Sequence, residues 1–132
     1  MNVLMLLKNK EEVAYLYDTD TVRQGLEKMN KHKYTAIPVL TKSGYYAGCV
    51  SDGDFLWHIM NSESNQIKEQ EKYQIREIIR KDFNPAARID ISMDELLNRS
   101  MHQNFIPLID DRNYFIGIIT RQDIIANIQK KI

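Results

Sequence analysis

Residues 48–54 read GCVSDGD and residues 117–123 read GIITRQD, so the chain carries one pattern twice. In both copies a glycine is followed by two apolar residues, a hydroxyl residue, two variable residues and an aspartate. The sequence upstream repeats at the same offset, because TAIPVL (35–40) corresponds to NFIPLI (104–109). A fixed offset of this kind indicates two copies of one structural unit.

Each copy also carries a helix signal upstream of its proline-containing strand. Thr21 with Gln24, and Ser92 with Glu95, have the spacing of a capping box, which marks the first turn of a helix. Two strands joined by hairpin signals follow, and the residues after each aspartate predict a second helix. The predicted unit is therefore β-α-β-β-α, and the fold class is α/β (α+β).

The segments before these helices correspond loosely, since VLMLLKNKEEVAYLYD (3–18) aligns with IREIIRKDFNPAARID (75–90). Between the copies, residues 61–74 are polar and mixed in charge, as in a solvated connector or an exposed helical lead. We predict a first repeat at 1–60, a connector at 61–74 and a second repeat at 75–132. A unit of about sixty residues buries little surface, so the repeats are expected to form one module.

Composition excludes several function classes. The chain has 132 residues with 18 Lys and Arg against 18 Asp and Glu, and this neutral balance provides no field for nucleic acid or an anionic membrane. No stretch is long enough for a membrane span, and the single cysteine, Cys49, fits a cytoplasmic location. The three histidines lack metal-ligand spacing, so no metal site and no required cofactor are predicted. No P-loop or activated nucleophile is present, so the chain is not expected to be an enzyme.

The repeated pattern has a structural and a functional interpretation. Ser51 with Asp54, and Thr120 with Asp123, fit a hydroxyl N-cap followed by a carboxylate at the positive end of a helix, with a cap worth about 1 kcal/mol. The same geometry presents amides and a hydroxyl to a phosphate, and the carboxylate can accept hydrogen bonds from a ribose. One copy alone favours the structural interpretation.

With both copies in view, the chain resembles a tandem pair of cystathionine-β-synthase (CBS) domains, the arrangement called a Bateman module, of the standalone bacterial type. The resemblance rests on YTAIPVL and YYAGCVSDGD in the first copy and on NFIPLI and YFIGIITRQD in the second, and it covers nearly the whole chain. It implies two repeats related by a pseudo-twofold axis, with two nucleotide clefts. Each cleft takes its hydroxyl and its ribose-binding aspartate from one repeat and its adenine-contacting backbone from the other.

The resemblance thereby implies two sets of site residues. One set combines Thr120, Asp123 and Ile118 with Val13, Tyr15, Tyr34, Thr35 and Ala36. The other combines Ser51, Asp54 and Cys49 with Asn84, Ala86, Asn104 and Phe105.

Three residues indicate that the two clefts differ. Phe105 is bulky where the equivalent Ala36 is small, and its ring would either stack on adenine or fill the slot. Gly53 weakens the helix after Ser51, whereas Arg121 favours the helix after Thr120 and adds a cation near the expected phosphates. The cleft containing Thr120 is predicted to be the better site.

The leading hypothesis is a regulatory, ligand-sensing module that binds an adenine nucleotide and changes the behaviour of an unidentified partner protein. The ligand candidates are AMP, ADP, ATP, S-adenosylmethionine and cyclic di-AMP. The alternative is an interaction protein with degenerate, empty clefts. A DNA-binding regulator is disfavoured, since there is no room for a helix-turn-helix. The resemblance also suggests a homodimer, for which Leu56, Trp57 and Ile124 were candidate contacts.

Overall fold

A computed structural model describes residues 2–130, which form two compact units. The first unit is Tyr15–Phe83, and the second unit combines the residues up to Ala14 with those from Asn84 onward. In chain order the strands and α-helices are β1 (Lys8–Asn9), β2 (Leu16–Tyr17), α1 (Val22–His32), β3 (Ala36–Leu40), β4 (Tyr46–Ser51), α2 (Asp52–Asn61), β5 (Ala87–Arg88), α3 (Met93–Ser100), β6 (Phe105–Ile109), β7 (Phe115–Thr120) and α4 (Arg121–Lys130).

The first unit is a three-stranded sheet with helices α1 and α2. Its strand order is β2-β3-β4, in which β2 and β3 are parallel and β3 and β4 form an antiparallel hairpin. Helix α1 lies close to the side chains of Ile75 and Phe55 at Gly25. A Cβ added to this glycine would lie 2.7 Å from Ile75 Cδ1 and 2.9 Å from Phe55 Cζ. Both of these side chains are buried, so the glycine lets the helix reach the core of the unit.

The second unit has a four-stranded sheet of order β1-β7-β6-β5. As in the first unit, the short first strand of the repeat runs parallel to its neighbour and the next two strands form an antiparallel hairpin. The β-α-β-β-α order predicted for each copy is confirmed. The buried apolar core of the second unit consists of Val3, Ala87, Leu96, Ile106, Leu108, Ile119 and Ile124.

The hydroxyl residues predicted to begin helices do so. Thr21 accepts a hydrogen bond from the Gln24 amide, and the Gln24 side chain accepts one in return from the Thr21 amide. Ser92 likewise accepts from the Glu95 amide at the start of α3. These bonds satisfy amides that the first turn of a helix leaves without a partner in the helix.

The first part of each repeat, residues 3–14 in the first and 75–83 in the second, packs in the unit of the other repeat. We call these two segments the leads. Val3, from the lead of the first repeat, lies in the core of the second unit, and β1 pairs with β7 there. Ile75, from the lead of the second repeat, is buried in the first unit, where Arg80 and Cys49 exchange backbone hydrogen bonds of 3.2 and 3.1 Å. Each unit therefore joins the strands of one repeat to the lead of the other.

Both exchanged leads cross their sheet over a glycine. Gly48 has φ +147°, and a Cβ on it would lie 2.9 Å from the Arg80 carbonyl oxygen. Gly117 has φ +152°, and a Cβ on it would overlap the Lys8 carbonyl oxygen. Only glycine combines this backbone conformation with so close an approach of another backbone. The first residue of the repeated pattern is therefore needed for the crossing.

The polar segment 61–74 was expected to be a solvated connector or an exposed helical lead. It contains a 3-10 helix, Ile67–Lys72, which packs on α1 within the first unit. The Arg23 guanidinium donates to Glu71 across this contact at 2.8 Å, and hydrogen bonds to Glu27 and Glu71 raise the pKa of Arg23. Gln70 is fully buried, so this segment has a buried side as well as a solvated one. The repeat boundaries proposed from the sequence stay a prediction.

Gly117→Ala should lower the free energy of unfolding by about 1 to 3 kcal/mol, because alanine strains the backbone and meets the Lys8 carbonyl. Gly53→Ala is the matched control: its Cβ would meet Ser51 Oγ at 3.6 Å, an ordinary contact. Inside a helix that change should stabilise by roughly 0.5 to 1 kcal/mol. Urea unfolding of both variants measures the difference, and equal midpoints would refute the steric argument.

Candidate functional site

In the first unit, the repeated pattern forms a direct junction between a strand and a helix. Strand β4 ends at Ser51 and α2 begins at the next residue. Asp54 Oδ2 accepts hydrogen bonds from the Ser51 amide at 2.8 Å and from the Ser51 hydroxyl at 3.0 Å. The Asp54 amide donates back to Ser51 Oγ at 3.2 Å. The carboxylate is thus fixed over the first turn of the helix.

A cation from the exchanged lead completes this junction. Arg80 Nε lies 2.8 Å from Asp54 Oδ1, and Arg80 Nη2 donates to Ser51 Oγ at 3.2 Å. The guanidinium also lies 4.1 Å from the centroid of the Phe83 ring. The Asp54 side chain is only 13% exposed, whereas that of Arg80 is 47% exposed. The two carboxylate oxygens are therefore both engaged, one by Ser51 and one by Arg80.

The second unit repeats this junction with looser contacts. Strand β7 ends at Thr120, α4 follows at once, and the Asp123 amide donates to Thr120 Oγ1 at 3.1 Å. Asp123 Oδ2 lies 3.7 Å from Lys8 Nζ, with side chains 38% and 48% exposed. An ion pair so exposed contributes little to stability. The Asp123 carboxylate is therefore more accessible than that of Asp54.

The predicted adenine-contacting residues of each repeat lie beside the junction of the same repeat. Ala36 pairs with Ser51 across the β3–β4 ladder, and the Asp52 amide donates to the Thr35 carbonyl at 2.9 Å. In the other unit, Phe105 pairs with Thr120, and the Arg121 amide donates to the Asn104 carbonyl at 2.9 Å. The grouping of residues from both repeats into two clefts stays a prediction.

The remaining predicted residues of the first unit have varied surroundings. Tyr34 is exposed and stacks on His32 with ring centroids 5.2 Å apart. The Tyr15 carbonyl accepts from Lys28 Nζ at 2.8 Å. Cys49 is fully buried in β4, so its side chain contributes to the core of the unit. Tyr34 and Tyr15 thus lie nearer to solvent than Cys49.

The remaining predicted site residues of the second unit are buried or half-buried. Asn84 is buried and has φ 55°, a left-handed conformation that asparagine tolerates. Val13 and Ala86 are half-buried, and Ile118 pairs with Lys8 in the sheet. Phe105 is 7% exposed, so its ring is packed within the unit, and whether it stacks on adenine or fills the slot stays a prediction.

Arg121 was predicted to place a cation near the phosphates of the ligand. Its Nε donates to the Ser100 carbonyl at 2.6 Å, which ties the guanidinium to the last residue of α3. Among the described residues, Arg80 and Lys8 pair with the two aspartates, and the sequence interpretation did not include them. The role of Arg121 near the phosphates stays a prediction. The sequence did carry a signal that these two cations are equivalent. Lys8 is the sixth residue of the segment 3–18, and Arg80 is the sixth residue of the aligned segment 75–90.

The described residues contain neither a metal-binding cluster nor a membrane-spanning helix. No group of three or more His, Cys, Asp or Glu side chains in residues 2–130 is placed to hold a metal ion. No helix within the same range combines the length and the apolar character that crossing a bilayer requires.

In the sheet of the first unit, burial raises the pKa of the Tyr46 phenol far above its usual value.

Comparisons with known proteins agree with the duplicated fold. An uncharacterized protein of Methanocaldococcus jannaschii is 26% identical over 145 residues; the match covers 100% of this chain and 51% of that protein, so the chain spans about half of its length. A crystal structure of a CBS domain-containing protein of unknown function from Bacillus anthracis is 26% identical, has a TM-score of 0.87, and is matched over 100% of this chain and 95% of that one.

A crystal structure of CbpB in complex with c-di-AMP has a TM-score of 0.90 at 23% identity, with 98% of this chain and 85% of that chain covered. At this identity the likeness concerns the fold. The family model described as CBS domain matches residues 9–61 and again residues 75–130, which together make up most of the sequence. The chain therefore belongs to the CBS domain family and contains two copies of the domain.

Proposed function

We propose that this chain is a regulatory module that binds an adenine-containing nucleotide and thereby changes the behaviour of a partner protein. The observation that carries the proposal is the pair of strand-to-helix junctions, each with a hydroxyl residue and an aspartate three residues later. The first turn of such a helix suits a phosphate where the ligand replaces the capping hydrogen bonds, and the carboxylate suits the two hydroxyls of a ribose. One junction thus matches the polar groups of one nucleoside phosphate.

The likeness to CbpB, crystallised in complex with c-di-AMP, makes cyclic di-AMP the first ligand to test. AMP, ADP, ATP and S-adenosylmethionine carry the same adenosine unit and remain candidates. We expect the sensor to act in the cytoplasm, because its one cysteine, Cys49, has no second cysteine in the chain with which to form a disulfide.

We expect the Thr120–Asp123 junction to bind ligand more readily than the Ser51–Asp54 junction. Asp123 faces Lys8 at 3.7 Å and is partly open to solvent, whereas Asp54 is held at 2.8 Å by Arg80. A ligand reaches the Asp123 carboxylate without breaking a short charged hydrogen bond. This difference supports the same site that the sequence favoured.

We propose a regulatory role and not a catalytic one. The two aspartates are engaged in helix capping and ion pairing, and the Ser51 hydroxyl oxygen that contacts Asp54 also accepts hydrogen bonds from the Asp54 amide and from Arg80, so its lone pairs are already used. A second candidate function is a ligand-independent interaction protein. Two observations favour it: Arg80 engages the Asp54 carboxylate, and three apolar side chains of α2 are exposed, those of Leu56, Trp57 and Met60.

Binding of an adenine nucleotide should raise the melting temperature of the protein, because a ligand that binds only the folded state stabilises it. At a free concentration of 100 times Kd the gain is roughly 2.7 kcal/mol. A thermal-shift panel of cyclic di-AMP, AMP, ADP, ATP and S-adenosylmethionine measures it, with guanosine monophosphate as the control for adenine recognition. An unchanged melting temperature across the panel at millimolar ligand would favour the ligand-independent alternative.

Asp123→Asn should weaken nucleotide binding about tenfold to a hundredfold, because an amide loses the charge that strengthens hydrogen bonds from a ribose. Its melting temperature should change little, since the Lys8 pair is exposed. Asp54→Asn should instead cost about 1 to 2 kcal/mol of stability, because this carboxylate accepts two hydrogen bonds from Ser51 and pairs with Arg80. Calorimetric titration and melting curves separate these effects. Unchanged affinity in both variants would leave only the helix-capping role.

We also propose that the chain forms a homodimer. Leu56, Trp57 and Met60 on α2 are exposed, with Trp57 63% accessible, and Ile125 and Ile128 are exposed on α4. Ile124, which the sequence suggested as a contact, is buried in the core of the second unit and cannot contribute. Exposed apolar side chains of this size are typical of association surfaces.

Light scattering should give a mass near twice the 15.5 kDa of the chain at micromolar concentration. Trp57→Glu should shift the protein towards the monomer, because it places a charge among the exposed apolar side chains of α2. Lys68→Glu, on an exposed side chain of the 3-10 helix, is the control and should leave the mass unchanged. A mass of one chain for the unsubstituted protein at high micromolar concentration would contradict the proposal.

A further inference from the structure

The two aspartates of the repeated pattern differ in what engages them. At Asp54, Oδ2 accepts from the amide and hydroxyl of Ser51, and Oδ1 pairs with Arg80 Nε at 2.8 Å. At Asp123, the Lys8 ammonium lies 3.7 Å from Oδ2, beyond an ordinary hydrogen bond. Lys8 and Arg80 occupy equivalent places in the two leads, so the junctions differ in the cation that faces the carboxylate, and Asp54 also accepts two hydrogen bonds from Ser51.

A ribose that donates both of its hydroxyls to Asp54 has to replace Arg80 at Oδ1, because Oδ2 already accepts two hydrogen bonds from Ser51 and Oδ1 accepts one from Arg80. The Ser51 hydroxyl donates to Asp54 and accepts from both the Asp54 amide and Arg80 Nη2, so it has no hydrogen left to offer a ligand. Arg80 is the member that can leave, because its side chain is 47% exposed while that of Asp54 is 13% exposed. The guanidinium can turn into solvent, whereas the carboxylate is fixed at the start of α2.

Displacing Arg80 costs free energy, because the guanidinium loses a short charged hydrogen bond to a largely buried carboxylate. A nucleoside returns nothing to the displaced cation. A nucleotide carries a phosphate, and a planar guanidinium pairs well with phosphate oxygens through two parallel hydrogen bonds. The cost of opening the junction is therefore offset only when the ligand brings its own anion.

We propose that Arg80 makes the Ser51–Asp54 junction selective for phosphorylated adenosine ligands, by closing Asp54 until a phosphate draws the guanidinium away. The inference rests on the proposed function and adds which class of adenosine ligand this junction accepts. Lys8 imposes no comparable selection at Asp123, because its pair is long and exposed on both sides. The two junctions of one chain thus differ in what they recognise.

The test compares adenosine with AMP by calorimetric titration in an Asp123→Asn background, so that the Ser51–Asp54 junction dominates the signal. Four proteins are measured: Asp123→Asn alone, with Arg80→Ala, with Arg80→Lys, and with Lys81→Ala. Lys81 is the neighbouring exposed cation and controls for the loss of one positive charge. Arg80→Lys keeps the charge but not the planar fork, and melting curves of all four proteins establish that each is folded.

We expect Arg80→Ala to tighten adenosine binding severalfold and to reduce the preference for AMP over adenosine at least tenfold, while Lys81→Ala leaves both values unchanged. Arg80→Lys should lie between the unsubstituted residue and alanine. An unchanged preference in Arg80→Ala, or weaker adenosine binding, would overturn the inference. Failure of the proposed function has a different signature, because the unsubstituted protein would then bind none of the five nucleotides of the panel. In that case adenosine binding that emerges only in Arg80→Ala would show that Arg80 closes the junction, but it would overturn the inference that a phosphate opens it.

Discussion

The crossing of one backbone over another at a glycine is the contact on which the rest of the structure depends. At Gly48 and Gly117 the lead of one repeat passes so close to the sheet of the other that no side chain fits between them. Backbone hydrogen bonds follow immediately after each glycine: Cys49 exchanges two with Arg80, and β7 pairs with β1. The repeated glycine thus fixes where each lead lies on its sheet, and the core residues Val3 and Ile75 follow from that placement.

The same crossings deliver a cation to each aspartate. Arg80 and Lys8 are the residues whose carbonyls meet the two glycines, and the aspartates lie six residues after those glycines, in the first turns of α2 and α4. The backbone contact is therefore common to both units, while the side chains differ. An arginine offers a planar fork that satisfies Asp54 and Ser51 together, and a lysine offers a point charge that stays in solvent. A shared scaffold with one altered side chain makes the two junctions unequal.

Much of this arrangement was predictable from the sequence, for physical reasons. The hydroxyl caps at Thr21, Ser51 and Ser92 act on amides three residues away, so spacing alone reveals them. The exchange of leads was not predictable, because either sheet would bury an apolar lead equally well. Contacts that follow from the exchange were missed for the same reason: Arg80 lies 29 residues from Ser51 in sequence. Ile124 was suggested as a dimer contact but is buried, because the apolar residues of a short helix do not reveal which of them face the core.

The exchange of leads also determines the order in which segments can be buried as the chain is synthesised. The first unit is continuous, so it has all of its residues once Phe83 has left the ribosome. The second unit is discontinuous, and the apolar lead around Val3, Leu6 and Leu7 has no core to join until the residues after Asn84 have been made. Domains fold as units, with N-terminal parts first. The residues of this lead are thus made before the first unit but buried after it, and during that interval they are exposed to chaperones and proteases.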